Sequence, residues 1–274
     1  MVSRNKSIYL WVFAVIFTIS SAVYQRMTGP TYPTKVSVSI KGVDYHFKLI
    51  RSHGGDSDAE IKLEVPKNIK GTVKYKKYKT NDEWTTVEMT RDGEKVMAKL
   101  PHQPPAGKIS YIVYLYDGMD TYQLNEEPVV IRFKGGVPLI ILIPHIFFMF
   151  TAMLMSTRAG IEAVFKGHRT LKYGYITIVT LAIGGLILGP IVQYMAFGDI
   201  WTGWPFGGDW TDNKTIFAFI FWLIAIIALR KNKNNRLWPI IAFFVLFGMY
   251  MIPHSKGGSE LNNATGKVET GIKK

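Results

Sequence analysis

The chain has 274 residues, no cysteine, and 33 Lys and Arg against 20 Asp and Glu, for a formal net charge of +13. The absence of thiols excludes disulfide frameworks, thiolate metal sites, cysteine nucleophiles and c-type haem attachment. The basic charge does not imply a nucleic-acid partner. It lies in short segments beside apolar blocks or is interleaved with acids, and the sequence has no Arg clusters interleaved with aromatics.

A hydrophobic content of 48% and a mean hydropathy of +0.11 look only mildly apolar. The apolar residues are concentrated, however, in blocks near 8–24, 137–157, 174–197, 215–229 and 237–252, with a long polar stretch between the first two. A soluble fold spreads its apolar residues along the chain, whereas long uncharged runs predict membrane-spanning helices. The expected fold class is an α-helical membrane bundle of about five transmembrane helices plus an all-β immunoglobulin-like sandwich inserted between the first helix and the second. In residue terms this is a first transmembrane helix at 1–26, an exported β-sandwich at 27–136, a four-helix membrane domain at 137–254 and an exported polar tail at 255–274.

The first block, Ile8 to Tyr24, comes after Arg4 and Lys6 and carries no charge. Ser20 and Ala22 loosely resemble a signal-peptide cleavage site, but the length of the run and the interface-type residues Trp11 and Tyr24 favour an uncleaved helix. Both readings export the polar stretch on its C-terminal side.

Residues 35–134 then alternate with period two in short segments: Lys35–Ile40, Tyr45–Ile50, Glu60–Val65, Thr72–Tyr78, Trp84–Met89, Lys95–Leu100, Ile109–Tyr116 and Val129–Phe133. Turn signals such as Lys41-Gly42, Asp92-Gly93 and Asp117-Gly118 separate them. That pattern predicts an antiparallel sandwich, with Trp84 as a core aromatic. The stretch from Val73 through Trp84 and Pro101-His102-Gln103-Pro104 to Tyr111–Asp117 resembles immunoglobulin-like or fibronectin-III-like modules of exported bacterial proteins. The resemblance implies binding, spacing or docking and brings no catalytic residue. His46, His53 and His102 fall on separate strands or loops and are expected at the surface. Lys74, Lys76, Lys77 and Lys79 form the solvated face of a strand, or else a surface for anionic headgroups or a negatively charged partner.

In the membrane part, basic residues set the orientation. Arg158, Lys166, Arg169 and Lys172 lie between the second and third blocks, and Arg230, Lys231, Lys233 and Arg236 between the fourth and fifth. The connection 198–214 offers only Lys214 against Asp199, Asp209 and Asp212. This predicts a bacterial inner-membrane protein with a cytoplasmic N-terminus and a periplasmic or extracellular β-domain and C-terminus. The fourth and fifth blocks are short; Trp210 and Trp238 can extend them into the interface, and Pro239 suits a first turn. Pro144 is expected to kink the second helix and His145 to face other helices. Gly185 and Gly189, with Gly184 alongside, form a small-xxx-small spacing that predicts close helix packing.

Three stretches exceed what spanning requires: Met27 to Pro33, GDIWTGWPFGGDWTDNK from Gly198 to Lys214, and Pro253 to Asn262. Topology sends all three to the exported side, where they are expected to form one surface with Trp201, Trp204, Asp209, Asp212, His254 and Glu260 as its candidate groups and His145 beneath. Asp212 is further expected to cap the fourth helix. The three stretches resemble a family of bacterial inner-membrane proteins with no assigned activity, so the resemblance implies a location and no chemistry.

The sequence contains no HExxH or GxSxG signature and no mid-membrane carboxylate in the core blocks. The function expected is therefore that of a membrane-anchored interaction or accessory subunit, in contact with lipid and a protein partner and without nucleic acid. The alternative is a redox or ligand-binding subunit. Its cofactor would be b-type haem between His145 and His254, or a divalent metal held by His254, Glu260 and loop aspartates. The haem pairing is strained by depth: His145 lies about 12 Å inside its helix at 1.5 Å per residue, while His254 comes after the last helix.

Overall fold

The computed structural model describes residues 4–205, 207–208, 210–253 and 258–270. One helix comes first, then a run of strands, then the remaining helices and a last strand pair. These elements form two compact units. Residues 31–136 and 260–269 make a β unit, and the first helix joins the helices beyond residue 137 in a helical unit.

The β unit begins with the hairpin β1 (Thr34–Ile40) and β2 (Val43–Leu49). Lys41 and Gly42 join them with φ of 49° and 82°. Two consecutive positive φ values are the signature of the type I′ turn, whose twist matches the strands on either side. Next come β3 (Ser52–Gly54), β4 (Ala59–Glu64), β5 (Lys70–Lys77), β6 (Thr85–Glu88), β7 (Thr90–Asp92), β8 (Lys95–Leu100), β9 (Lys108–Asp117), β10 (Asp120–Gln123) and β11 (Val129–Lys134). One sheet runs β3-β11-β9-β5-β6, with β10 also on β9; another runs β4-β8-β7; β1 and β2 form a third. All the pairings are antiparallel except β3 with β11, which is parallel.

Alternation builds the core. Along β9, Ile109, Tyr111, Val113 and Leu115 are buried, while Ile112, Tyr114 and Tyr116 between them are only half-buried. Their buried partners come from every sheet: Phe47 and Leu49 of β2, Ile61 and Leu63 of β4, Val96 and Leu100 of β8, Ile131 and Phe133 of β11. The Tyr111 hydroxyl donates to the Ile50 carbonyl at 2.8 Å, which satisfies the one polar atom of a fully buried ring. Trp84 is not part of this core. It precedes β6, is 37% exposed, and has the Lys76 ammonium 5.3 Å from its ring centroid. The reason is parity: Trp84 is in phase with Thr86 and Glu88, whereas Val87 and Met89 turn inward.

The helical unit comprises α1 (Arg4–Thr28), α2 (Leu139–Val164), α3 (Thr170–Leu181), a π-helical segment (Ala182–Leu188), α4 (Gly189–Phe197), α5 (Trp210–Lys231) and α6 (Leu237–Met251). Among the described residues, four helices are long and apolar enough to cross a membrane: Asn5–Thr28, Leu139–Val164, the continuous Thr170–Phe197, and Asp212–Lys231. α6 is apolar but has 15 residues, short of the roughly 20 that a bilayer core needs. α5 reaches 22 residues because its polar first and last turns continue the helix past the apolar block.

Close approaches fix the packing. A Cβ at Gly184 would come within 2.9 Å of Phe148 Cβ, and one at Gly185 within 2.5 Å of Thr215 Cγ2. Gly189 has room to spare, its nearest such neighbour being the Gly184 carbonyl at 3.5 Å. The tight pair is therefore Gly184 with Gly185 rather than Gly185 with Gly189, because the π turn changes which residues share a face. Trp222, fully buried, donates its indole N–H to Ser156 Oγ at 3.1 Å.

Hydrogen bonds define the two ends of the unit. At one end Arg158 donates to Ser7 Oγ at 3.4 Å and Arg236 donates to the Gly167 carbonyl at 2.8 Å. This gathers the start of α1, the end of α2, the α2–α3 connection and the start of α6. At the other end Gln25 donates to the Tyr250 carbonyl at 2.5 Å and Lys214 to the Ile252 carbonyl at 2.8 Å. This gathers the last turn of α1, the first of α5 and the exit of α6.

The last strands are β12 (Ser259–Leu261) and β13 (Val268–Thr270), paired with each other. Their residues 260–269 belong to the β unit, where the Leu261 amide donates to the Ala106 carbonyl at 3.1 Å. The polar tail is thus a hairpin with a docking place.

Candidate functional site

The predicted site residues do not form one cluster. Trp201, Trp204 and Asp212 belong to the helical unit, Glu260 to the β unit, and Asp209 and His254 lie outside the described residues. Within the second stretch, Asp212 organises the loop. It sits in the first turn of α5, nearly buried, and its Oδ2 accepts from the Thr202 amide at 2.7 Å, the Gly203 amide at 2.9 Å and Gln193 Nε2 at 3.1 Å. Asn213 repeats the pattern, its Oδ1 accepting from the Trp204 amide at 2.6 Å. Gly203 is required because a Cβ there would lie 2.6 Å from Asp212 Cβ. The sequence predicts that Asp212 caps its own helix; these bonds hold the preceding loop instead, since that loop folds back over the start of α5 and presents its amides first. Trp201 donates its indole N–H to the Trp204 carbonyl at 3.1 Å, and the Trp204 ring is left exposed. Chemically this is a carboxylate engaged by several donors, suited to holding a shape.

Lys214, from the same stretch, reaches the carbonyl of Ile252, the residue just before the third stretch begins. The backbone of the second stretch and the exit of α6 therefore do meet.

His145 is half-buried in α2, one residue past Pro144, and its Nδ1 donates to the Gly184 carbonyl at 2.9 Å. That carbonyl lies in the π segment, where bonding runs to the fifth residue and leaves groups for other partners. The carbonyl can only accept, so Nδ1 carries the proton and Nε2 remains to act as an acceptor or ligand. Among the described residues, no group of three or more His, Asp or Glu side chains is placed to hold a metal ion.

The most heavily buried charges are not evident in the sequence. Arg158 belongs to α2 rather than to the connection after it, and its guanidinium lies 2.5 Å from Glu162 one turn on, both side chains being almost fully buried. The Arg158 guanidinium also lies against two aromatic rings, Tyr173 at 5.0 Å and Trp11 at 5.5 Å. Glu162 Oε1 accepts from the Arg169 amide at 3.3 Å, and a Cβ on Gly167 would collide with that carboxylate. The approach of Arg158 to Glu162 lacks hydrogen-bond alignment, so the attraction is coulombic. The one signal for this pair is the i, i+4 spacing of opposite charges at the end of an apolar block.

In the β unit, Glu260 is clamped by Lys79 at 2.8 Å and Lys108 at 2.5 Å. Partial burial works against its charge, but the hydrogen bonds from Lys108 and Lys79 outweigh it and hold the carboxyl below its ordinary pKa. The same bond holds Lys79 above its ordinary value. Burial pushes Lys108 down by more than the shared carboxylate lifts it. His46, His53 and His102 do not converge: His46 bonds Ser37 Oγ at 2.8 Å, His53 bonds the Ser57 carbonyl at 2.9 Å, and the His102 ring stands edge-on to Phe133.

The outer face of β5, β9 and β6 is the other chemically distinctive surface. Tyr114 and Tyr116 alternate outward on β9, opposite Thr72 and Lys70 of β5. Lys74 lies 5.2 Å from the Tyr114 ring centroid, and Lys76 has the corresponding position at Trp84. No known protein family, curated protein or solved structure matches the chain.

Proposed function

We propose that this chain is an accessory subunit of the bacterial inner membrane. Five helices anchor it, and an immunoglobulin-like domain on the exported side meets a protein partner. The N-terminus is cytoplasmic, and the β unit and C-terminus are periplasmic or extracellular. Support for the orientation comes from the helix ends. Arg158, Arg169, Lys172, Lys233 and Arg236 collect at the end that begins α1, while Asp199, Asp212 and a single lysine, Lys214, occupy the other. Support for the domain type comes from strand order: a sheet β3-β11-β9-β5-β6 whose first pair is parallel, and a second sheet β4-β8-β7.

The observation that carries the interaction role is the outer face of β5, β9 and β6. Protein interfaces are enriched in Tyr and Trp, which give rigid contact area with a polar edge. Here Tyr114, Tyr116 and Trp84 stand among Thr72, Lys74 and Lys76 on one sheet face. Lysines over aromatic rings suit a partner surface with an acidic rim.

A photo-crosslinking amino acid at Tyr114 tests this in intact cells, with the exposed Asp44 of β2 as the control position. Position 114 should give one discrete protein adduct, lost in a Lys74→Glu, Lys76→Glu chain, and position 44 should give none. No adduct from 114, or equal adducts from both positions, would remove the interaction role from this face.

A further inference from the structure

At the basic end of the helical unit, the α2–α3 connection, α3 and the α5–α6 connection enclose a cleft of about 720 Å³. Its rim is cationic: Lys172 in the first turn of α3, Lys233 just beyond the end of α5, and Arg236 immediately before α6, with His168 beside them. Its deeper wall is apolar, formed by Ile176 of α3 and Leu229 of α5, and the Tyr175 ring marks the border between the two. Among the described residues, no acidic side chain lines it. Arg236 is fixed in place by its bonds to the Gly167 carbonyl at 2.8 Å and to Thr170 Oγ1 at 3.2 Å, whereas Lys172 and Lys233 are exposed.

The level of the cleft matters as much as its charge. It lies where the span Thr170–Phe197 begins and the span Asp212–Lys231 ends. Two spans with a shared terminus put that terminus at the headgroup layer of a bilayer, with the apolar residues one turn deeper at the start of the hydrocarbon. A ligand that satisfies both parts has an anionic phosphate for the rim and an acyl chain for the wall.

We infer that this cleft binds an anionic phospholipid, the headgroup phosphate seated among Lys172, Lys233 and Arg236 and the acyl chains against Ile176 and Leu229. Basic pockets between transmembrane helices are established sites for such headgroups. The inference concerns the helical unit alone and does not depend on the role assigned to the β unit.

Native mass spectrometry of the full chain released from detergent tests it, with phosphatidylglycerol and phosphatidylcholine of identical acyl chains as probes. Phosphatidylglycerol should be retained in preference. In Lys172→Gln, Lys233→Gln, loss of two charges near the surface should weaken retention roughly 30-fold. Both variants should unfold at the parent's temperature. The same charge loss at Lys35→Gln, Lys48→Gln in the β unit should leave retention unchanged. Equal retention of the two lipids, or an unchanged double variant, would overturn the inference. A soluble competitor separates lipid from free phosphate: glycerol 3-phosphate should not displace the lipid at equal concentration, and displacement would mean that the site takes the phosphate alone.

Discussion

Asp212→Ala removes the acceptor that holds two loop amides in place. The Thr202 and Gly203 N–H groups are buried and reach the same oxygen at 2.7 and 2.9 Å, with Gln193 adding a third bond at 3.1 Å. A buried donor left unpaired costs about 1–3 kcal/mol, so the two amides together put the loss at about 2–6 kcal/mol. Asp212→Asn keeps an oxygen in place and gives up only the charge assistance, so it should lose about half as much. Because the loop can open without unfolding the bundle, the loss should appear first as local opening. Hydrogen exchange in detergent should show Thr202, Gly203 and Trp204 exchanging at least tenfold faster in Asp212→Ala, with Asp212→Asn between it and the parent. The α2 residues around Ser156 should be unaffected. Unchanged exchange at Thr202 and Gly203 in Asp212→Ala would refute the role given to this carboxylate.

In the β unit, Phe133→Ala should lower stability by about 3–5 kcal/mol, as for a large core side chain, whereas Trp84→Ala should change it by less than about 1 kcal/mol; thermal melts of both variants check the pair. The C-terminal hairpin should release at acid pH. Glu260 is held below its ordinary 4.5, so its contribution is complete above that value and is lost only as pH falls through the lower, folded-state value. Exchange at Leu261 and Asn263 monitored from pH 7 downward should stay flat and then rise below pH 4.5, and Glu260→Gln should abolish that step.

Much of the β unit is legible because a half-buried strand writes its period into the sequence. All eight expected strands occur within two residues of their predicted limits, and the additions β3, β7 and β10 have only three or four residues, too few to show alternation. Trp84 shows how composition can mislead where period does not. Its size suggests the core, yet its phase with Thr86 and Glu88 puts it outside. Apolar length likewise locates the helices but misses their polar ends: Arg158 and Glu162 look like connection residues until their spacing is read on a helix. The second stretch is recognisable as ordered from its glycines and tryptophans. The partners of Asp212 are not, because a loop's amides have no sequence identity and only the fold brings Thr202 and Gly203 to the carboxylate. Glu260 groups with the membrane-surface loops in sequence because it lies close behind α6, but the chain returns to the β unit and its charge meets Lys79 and Lys108 there.

The orientation on which the proposed role depends can be measured directly, since the native chain has no cysteine. Single cysteines in place of Ser57, Thr265 and Lys233, all exposed, should be treated with a membrane-impermeant maleimide on intact spheroplasts. Ser57→Cys and Thr265→Cys should label from outside, and Lys233→Cys only after lysis. Labelling of Lys233→Cys in intact spheroplasts, or protection of Ser57→Cys, would contradict the five-span anchor with an exported β unit.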